Sequence, residues 1–249
     1  MPVADVSAPP ALPSRELLAA QAAWLAPARG RLLRQVAIAR RRSVLELGAG
    51  HGAVTGELVR RSGGHVVALD PVWAALRGSA GLPVGGDARR LPFASASFDL
   101  VFCQLTLLWI RPLDAVAREV WRVLAPGGVW IALEPDYGGM IEHPPGCGGR
   151  ELWRAALRRA GAEPSVGRQL PGVLAAEGFA VRVQLLETIQ PPDSARWALL
   201  RGLPLTAEES EAVARLEAES PGVPWAQVVH LPFFLVAATR PLTGPQARL

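Results

Sequence analysis

Val44-Leu45-Glu46-Leu47-Gly48-Ala49-Gly50-His51-Gly52 reads as an apolar strand running off into a glycine-rich turn and then a helix. The strand is expected over Ser43 to Leu47 and the helix over Ala53 to Arg61. Glycines suit a tight turn whose backbone a ligand must approach closely. The helix that follows offers free N–H groups to a charged ligand tail. The spacing Gly48-x-Gly50-x-x-Ala53 also matches the dinucleotide-binding fingerprint, so the turn alone leaves two cofactor classes open.

Outward from the turn, strands and helices alternate. His65 to Leu69 is a second strand closed by Asp70-Pro71, with a short helix over Val72 to Arg77. Leu82 to Gly85 and Phe98 to Gln104 follow as strands, Leu113 to Leu124 as an amphipathic helix, Ala125 to Gly128 as a turn and Val129 to Leu133 as a fifth strand. Such alternation implies a parallel sheet with right-handed crossovers. Asp70 falls 20 residues after Gly50, where a carboxylate can accept from both hydroxyls of a ribose. The competing reading, an Asp that merely caps a short helix, is weakened by the glycine turn before it.

Upstream, Met1 to Pro13 reads as a loose terminus. A helix capped by Ser14 follows, interrupted at Pro27, with a second, basic helix over Ala28 to Arg40. Downstream, Glu134 to Gly149 reads as a loop. Glu151 to Ala160 and Gly167 to Glu177 read as helices, Phe179 to Ile189 as a strand, Ser194 to Leu203 and Ala207 to Glu219 as helices, and Val228 to Thr239 as a last strand. The expected division is a helical extension over 1–42 and one domain over 43–249, with substrate-covering insertions after residue 134.

Half of the 249 residues are hydrophobic and 19% are charged, enough apolar surface for a sizeable core and too little charge for a disordered chain. No apolar run reaches the roughly 20 residues that span a bilayer, and the start lacks a secretory pattern, so a soluble cytoplasmic protein is expected. Two cysteines, Cys103 and Cys147, make neither a disulfide framework nor a zinc site by themselves, and no metal is expected. The isoelectric point of about 10.3 overstates basicity. Every basic side chain apart from four His is Arg, which stays charged at high pH, so a net charge of +4 suffices. Seven Arg against Asp5 and Glu16 in residues 1–42 make nucleic acid a conceivable partner, but two solvated helix faces are the favoured reading.

Three further features follow in order: Gly86-Asp87-Ala88 after the third strand, then Leu91-Pro92-Phe93 with Phe98-Asp99-Leu100-Val101, then Leu124-Ala125-Pro126-Gly127-Gly128. With the glycine turn and Asp70, this series resembles the class I S-adenosylmethionine-dependent methyltransferases, specifically the type 11 small-molecule group, over about Arg42 to Pro135. The resemblance implies a Rossmann-like three-layer α/β sandwich with a seven-stranded, mostly parallel sheet and an antiparallel last strand. It implies S-adenosylmethionine as cofactor. Glu46 would help hold the methionine end, Gly48, Ala49 and Gly50 would form the turn against it, and Asp70 would bind the ribose. Pro71 and Val72 would flank the adenine, Asp87 would accept from its amino group with Ala88 supplying backbone, and Gln104 would line the floor near the methyl group. Asp99 is assigned to the fold instead.

The acceptor is left open, a small molecule being favoured over RNA and over a non-catalytic cofactor-binding role. A sulfonium methyl is already activated, so such a site needs a general base only when the acceptor arrives protonated. No catalytic residue is diagnostic; Glu134, Asp136, Tyr137 and His143 lie where one would act, with Tyr137 and His143 the candidate bases. Trp109, Trp153, Trp197 and Trp225 are candidates to wall an apolar pocket, and Arg150, Arg154 and Arg158 form a helix stripe that reads first as a solvated face.

Overall fold

In the computed structural model, residues 12–220 and 222–242 are described; the loose terminus expected at the start lies almost wholly outside them. Helix α1 spans Arg15–Gln35, with the Ser14 side chain accepting from Leu17 N as its cap. Strand β1 (Ser43–Leu47) leads into α2 (Thr55–Arg61), β2 (His65–Asp70), β3 (Leu82–Gly85), β4 (Phe98–Gln104), α3 (Leu113–Val123) and β5 (Leu124–Pro135). Then come β6 (Ile141–His143), α4 (Arg150–Arg159), α5 (Val166–Glu177), β7 (Ala180–Leu185), α6 (Ala195–Arg201), α7 (Ala207–Ala218), β8 (Val228–His230) and β9 (Phe233–Thr239).

The main sheet has seven strands in the order β3-β2-β1-β4-β5-β9-β7. The pairs from β3 to β5 are parallel, and β9 runs antiparallel to both β5 and β7. This is the expected Rossmann-like sandwich, with its antiparallel strand last in the chain. Alternation along each strand feeds two cores. Val44, Leu100 and Phe102 pack with Leu25 and Leu33 of α1 and Leu58 of α2, while Leu45, Val101 and Trp130 pack with Val116, Val120 and Leu170 of α3 and α5.

Several boundaries differ from the sequence expectation. Pro27 does not break α1. A proline removes one hydrogen bond and crowds the turn before it. Here Leu25, Ala28 and Leu32 are buried on both sides of the proline, so packing against the sheet holds the helix through it. The basic helix ends at Gln35 instead of Arg40, because Ala37 turns left-handed at φ 53° into a 3-10 turn, Ile38–Arg40. The expected last strand divides at Leu231-Pro232: β8 pairs with β6 in a separate two-stranded sheet, and only β9 joins the main one. The expected loop after Glu134 therefore contains a strand. Residues 15–35 also share the core of the sheet, so the helical extension is packed onto the domain that follows.

Candidate cofactor site

The parallel strands β1, β2 and β4 end together, and the glycine turn crosses their carboxyl ends, where open α/β sheets bind ligands. Gly48, Gly50 and Gly52 all take positive φ, 65°, 51° and 77°. Gly48 is the most constrained: a Cβ there would sit 2.4 Å from Thr106 Cγ2. Above Gly50 the space is wider, with Leu18 Cδ1 of α1 3.5 Å from where its Cβ would stand. Arg15 NH1 donates to His51 O, so the first turns of α1 lie against the glycine turn. Among the described residues, His51 Nδ1 is buried with no partner.

Asp70 ends β2, 4% exposed, and braces the turn from its own side. Its Oδ2 accepts from Gly50 N and its Oδ1 from Val72 N, both at 2.8 Å. A carboxylate oxygen has two lone pairs, so each retains capacity for a ligand hydroxyl. Pro71 and Val72 follow directly and lead into the 3-10 turn Trp73–Leu76.

Glu46 is 3% exposed, and burial pushes its carboxyl up to about 7, against the pull of the Thr55 hydroxyl, which donates to Oε2 at 2.5 Å, and of Arg29. Gln104, at the end of β4, accepts through Oε1 from Arg29 NH1 at 2.9 Å. Arg29 is only 3% exposed and is anchored to Glu57 on α2 by Nε at 2.9 Å and NH2 at 2.6 Å. Sequence reasoning missed Arg29, although it interrupts the apolar helical stripe Ala22, Leu25, Leu32, Leu33 and Val36.

Thr106 and Glu134 act from the opposite face of the sheet. Thr106 Oγ1 lies within donating distance of both Leu47 O at 3.2 Å and Gln104 O at 3.1 Å, which share its single proton. Glu134, at the end of β5 and 0% exposed, accepts at Oε1 from Thr106 N and Leu107 N, both at 3.0 Å. Its Oε2 is buried without a partner among the described residues, and burial pushes its carboxyl up to about 7. Cys103 lies beside it as a buried thiol held well above its usual range by desolvation, hence unsuited as a nucleophile.

Asp87 is half-buried and pairs with Arg89, whose Nε and NH2 donate at 2.7–3.0 Å and hold the carboxyl below its usual range. That pair must loosen for Asp87 to receive an adenine amino group. Ala88 beside it is buried. Asp99, expected to serve the fold, accepts from Arg42 N and Ser43 N and pins the start of β1.

The residues considered for proton transfer are not brought together. Tyr137 is buried against Trp153, ring centroids 5.2 Å apart, and burial raises its phenol further, so at neutral pH it is a donor and not a base. His143 is exposed on β6, opposite Val228. Asp136 is buried, and Arg168 Nε donates to its Oδ2 at 2.7 Å. Trp153 and Trp197 belong to the core, whereas Trp109 and Trp225 are exposed. Arg150 and Arg154 of the helix stripe pair with Glu151. Among the described residues no cluster of His, Cys, Asp and Glu is arranged to hold a metal, and no helix is long and apolar enough to cross a membrane.

Residues 45–132 match the family model for a methyltransferase domain. A malonyl-[acyl-carrier protein] O-methyltransferase of Erwinia billingiae is 38% identical over 90 residues, covering 34% of this chain and 36% of that protein. The match thus spans about a third of that relative's length. The YcgJ protein from Bacillus subtilis has the same fold, with a TM-score of 0.64 at 16% identity over 86% of this chain and 98% of that one. So does the geranyl diphosphate C-methyltransferase from Streptomyces coelicolor A3(2), solved with Mg2+, geranyl diphosphate and S-adenosyl-L-homocysteine, with a TM-score of 0.54 at 15% identity over 90% and 82% of the two chains. The resemblance to class I methyltransferases of the type 11 group therefore holds: the segment that carries the motifs is the segment the family model matches.

Proposed function

We propose that this chain is an S-adenosylmethionine-dependent methyltransferase acting on a small-molecule acceptor. The observation that carries the reading is the bracing of Gly50 by Asp70 across two neighbouring strand ends, with Glu46 buried beneath the same turn. A nucleoside's hydroxyls fit the free lone pairs of Asp70, and an ammonium fits Glu46. Gly48, Ala49 and Gly50 supply the close backbone, Pro71, Val72, Asp87 and Ala88 the adenine end, and Gln104 the floor.

When bound, S-adenosylmethionine supplies an electrophilic methyl group on a sulfonium. The chain's part is to orient, to exclude water and to hold the acceptor in line. Tyr137, just past β5, stacks on Trp153 of α4 in the core beneath this end of the sheet, and the elements after residue 134 are read as the acceptor cover. Residues 1–42 are read as an extension that closes the cofactor side. The N-terminal arginines favour a small acceptor over RNA, because several are engaged within the fold: Arg29 with Glu57 and Gln104, Arg41 with Val36 O and Asp99 O, Arg42 with Gly63 O.

Calorimetry with S-adenosylmethionine and its demethylated product tests the reading, and no binding of either at millimolar concentration would sink it. Asp70→Ala is expected to weaken binding by about 1–3 kcal/mol, since hydrogen bonds to a charged acceptor are lost. Unchanged affinity would move the ribose elsewhere. Radiolabelled methyl transfer across a panel of carboxylic, phenolic and amine acceptors then separates an enzyme from a binding protein.

A further inference from the structure

The two outer strands of the main sheet, β3 and β7, are finished differently. An outer strand carries unpaired N–H and C=O groups that template pairing with another strand, and proteins blunt such edges with short strands, prolines and charges. β3 is four residues long and holds Pro83, which has no N–H to give. β7 is six residues long, without proline or glycine, and Arg182 is its one charge. Among the described residues it pairs on one side only, with β9. Its side chains alternate between the faces of the sheet. Arg182 and Gln184 turn to the α1 side, where Gln184 Nε2 donates to Gln35 Oε1 at 3.3 Å. Val181, Val183 and Leu185 turn to the α5 side. Val181 packs on that core, whereas Val183 and Leu185 are 42% and 50% exposed.

The backbone alternates as well. Along an antiparallel strand, residues in turn bond to the neighbour and point their N–H and C=O away from it. Leu186 N donates to Phe233 O at 3.0 Å, in the register that pairs Gln184 with Leu235 and Arg182 with Ala237. The even-numbered residues therefore bond to β9, and Val181, Val183 and Leu185 present their N–H and C=O groups outward. The free edge and the exposed apolar side chains belong to the same residues. We propose that this edge is an interface for a second copy of the chain, pairing antiparallel about a twofold axis at Val183. Such a contact is isologous, with the same patch on both copies. Val183 then faces Val183 of the other copy, and Val181 faces Leu185, so every outward N–H and C=O of the strand is paired. The apolar side chains meet on the α5 side. On the α1 side Arg182 stands opposite Gln184, whose Oε1 accepts from it. An axis at Arg182 would instead set two guanidiniums opposite each other, which destabilises. An axis at Gln184 would carry Val181 past the end of β7 to Glu187. The strand is complementary to itself in hydrogen bonds, apolar contact and charge, which selects a second copy over a foreign segment.

A strand pair is a small interface, so analytical ultracentrifugation is expected to give a dissociation constant in about the micromolar range. Val183→Pro removes an outward N–H, which an edge strand tolerates, so the thermal midpoint should hold. Dimer affinity should fall by about tenfold or more, because the twofold axis repeats the lost hydrogen bond. Leu185→Lys leaves the backbone intact and is expected to act in the same direction; it decides should Val183→Pro unfold. Disulfide trapping reads the register, since the native Cys103 and Cys147 are buried. A mixture of Arg182→Cys and Gln184→Cys chains should cross-link on oxidation, with Cα atoms about 4.5 Å apart across the axis. Either variant alone should not, its two thiols lying a diagonal apart. A chain that stays monomeric to about 100 μM overturns the inference. Outward β7 amides protected from hydrogen exchange in such a monomer would assign the edge to the chain's own residues 1–11 or 243–249. A dimer that keeps its affinity in both Val183→Pro and Leu185→Lys overturns it too, and cross-linking by Arg182→Cys alone overturns the axis at Val183.

Discussion

Glu46 and Glu134 form a natural experiment within one sheet. Both are carboxylates at or near strand ends, both are buried, and loss of hydration pushes both up to about 7. Their surroundings separate them. Glu134 turns to the α3 and α5 face, where two backbone N–H groups of the β4 exit fill one of its oxygens. Glu46 turns to the α1 and α2 face, where one hydroxyl is its partner and the Arg29 cation stands nearby. Equal burial therefore goes with a structural acceptor at one strand and, on the proposed reading, a ligand-facing one at the other. What decides is whether the chain's own N–H groups reach the carboxylate first.

The strongest way to break this comparison is Glu134→Ala. It orphans Thr106 N and Leu107 N inside the protein, and each unpaired buried amide costs about 1–3 kcal/mol. A loss of about 3–5 kcal/mol is expected in urea unfolding, whereas Glu134→Gln, which keeps the accepting oxygen, should lose about 1 kcal/mol or less. Similar losses for both variants would mean that the charge, and not the acceptor, matters there.

Thr106 joins the two regions, since Glu134 holds its backbone and its methyl group fills the space beside Gly48. Gly48→Ala meets that methyl group at a contact no real structure tolerates, in a left-handed conformation that favours glycine. An expected loss of about 2–4 kcal/mol combines the left-handed penalty with overpacking. The double variant Gly48→Ala with Thr106→Ala should recover the steric part and leave the conformational part. Strict additivity of the two changes would show that the contact across the strand ends carries no energy.

The sequence disclosed one side of this comparison far better than the other. The glycine turn, Glu46 and Asp70 are local: strand, turn and second strand fall within 28 residues, and their spacing is itself the signal. Glu134 stands out in the sequence only by its position after a strand, and its partners lie 27 and 28 residues away and depend on register between β4 and β5. The tie from Arg29 to Gln104 crosses 75 residues and requires α1 to pass through Pro27 unbroken, against the usual effect of a proline. The parallel sheet was legible in outline because alternating periodicities imply parallel crossovers, whereas the order of its strands comes from the structure. The split at Pro232, which sends β8 to a separate sheet, follows only from where β6 lies.

The gentlest probe uses pH. The Glu46 carboxyl rests at about 7 instead of its ordinary 4.5, so near neutrality and below it is largely protonated in the free chain. A ligand ammonium favours the ionised form, so binding must displace that proton. Affinity for S-adenosylhomocysteine should rise by up to about tenfold per pH unit, or about 1.4 kcal/mol, as pH climbs towards 7, and level off above it. Glu46→Gln should bind more weakly at pH 8 and lose the slope. Folding stability carries the opposite sign. A carboxyl whose folded value is raised contributes stability that is complete below about 4.5 and lost as pH rises through about 7. Glu46→Gln and Glu134→Gln should each flatten that decline in urea midpoints, but only Glu46→Gln should flatten the binding curve. If Glu134→Gln flattens both, the two carboxylates share one ligand-facing role, and the contrast between the faces of the sheet fails.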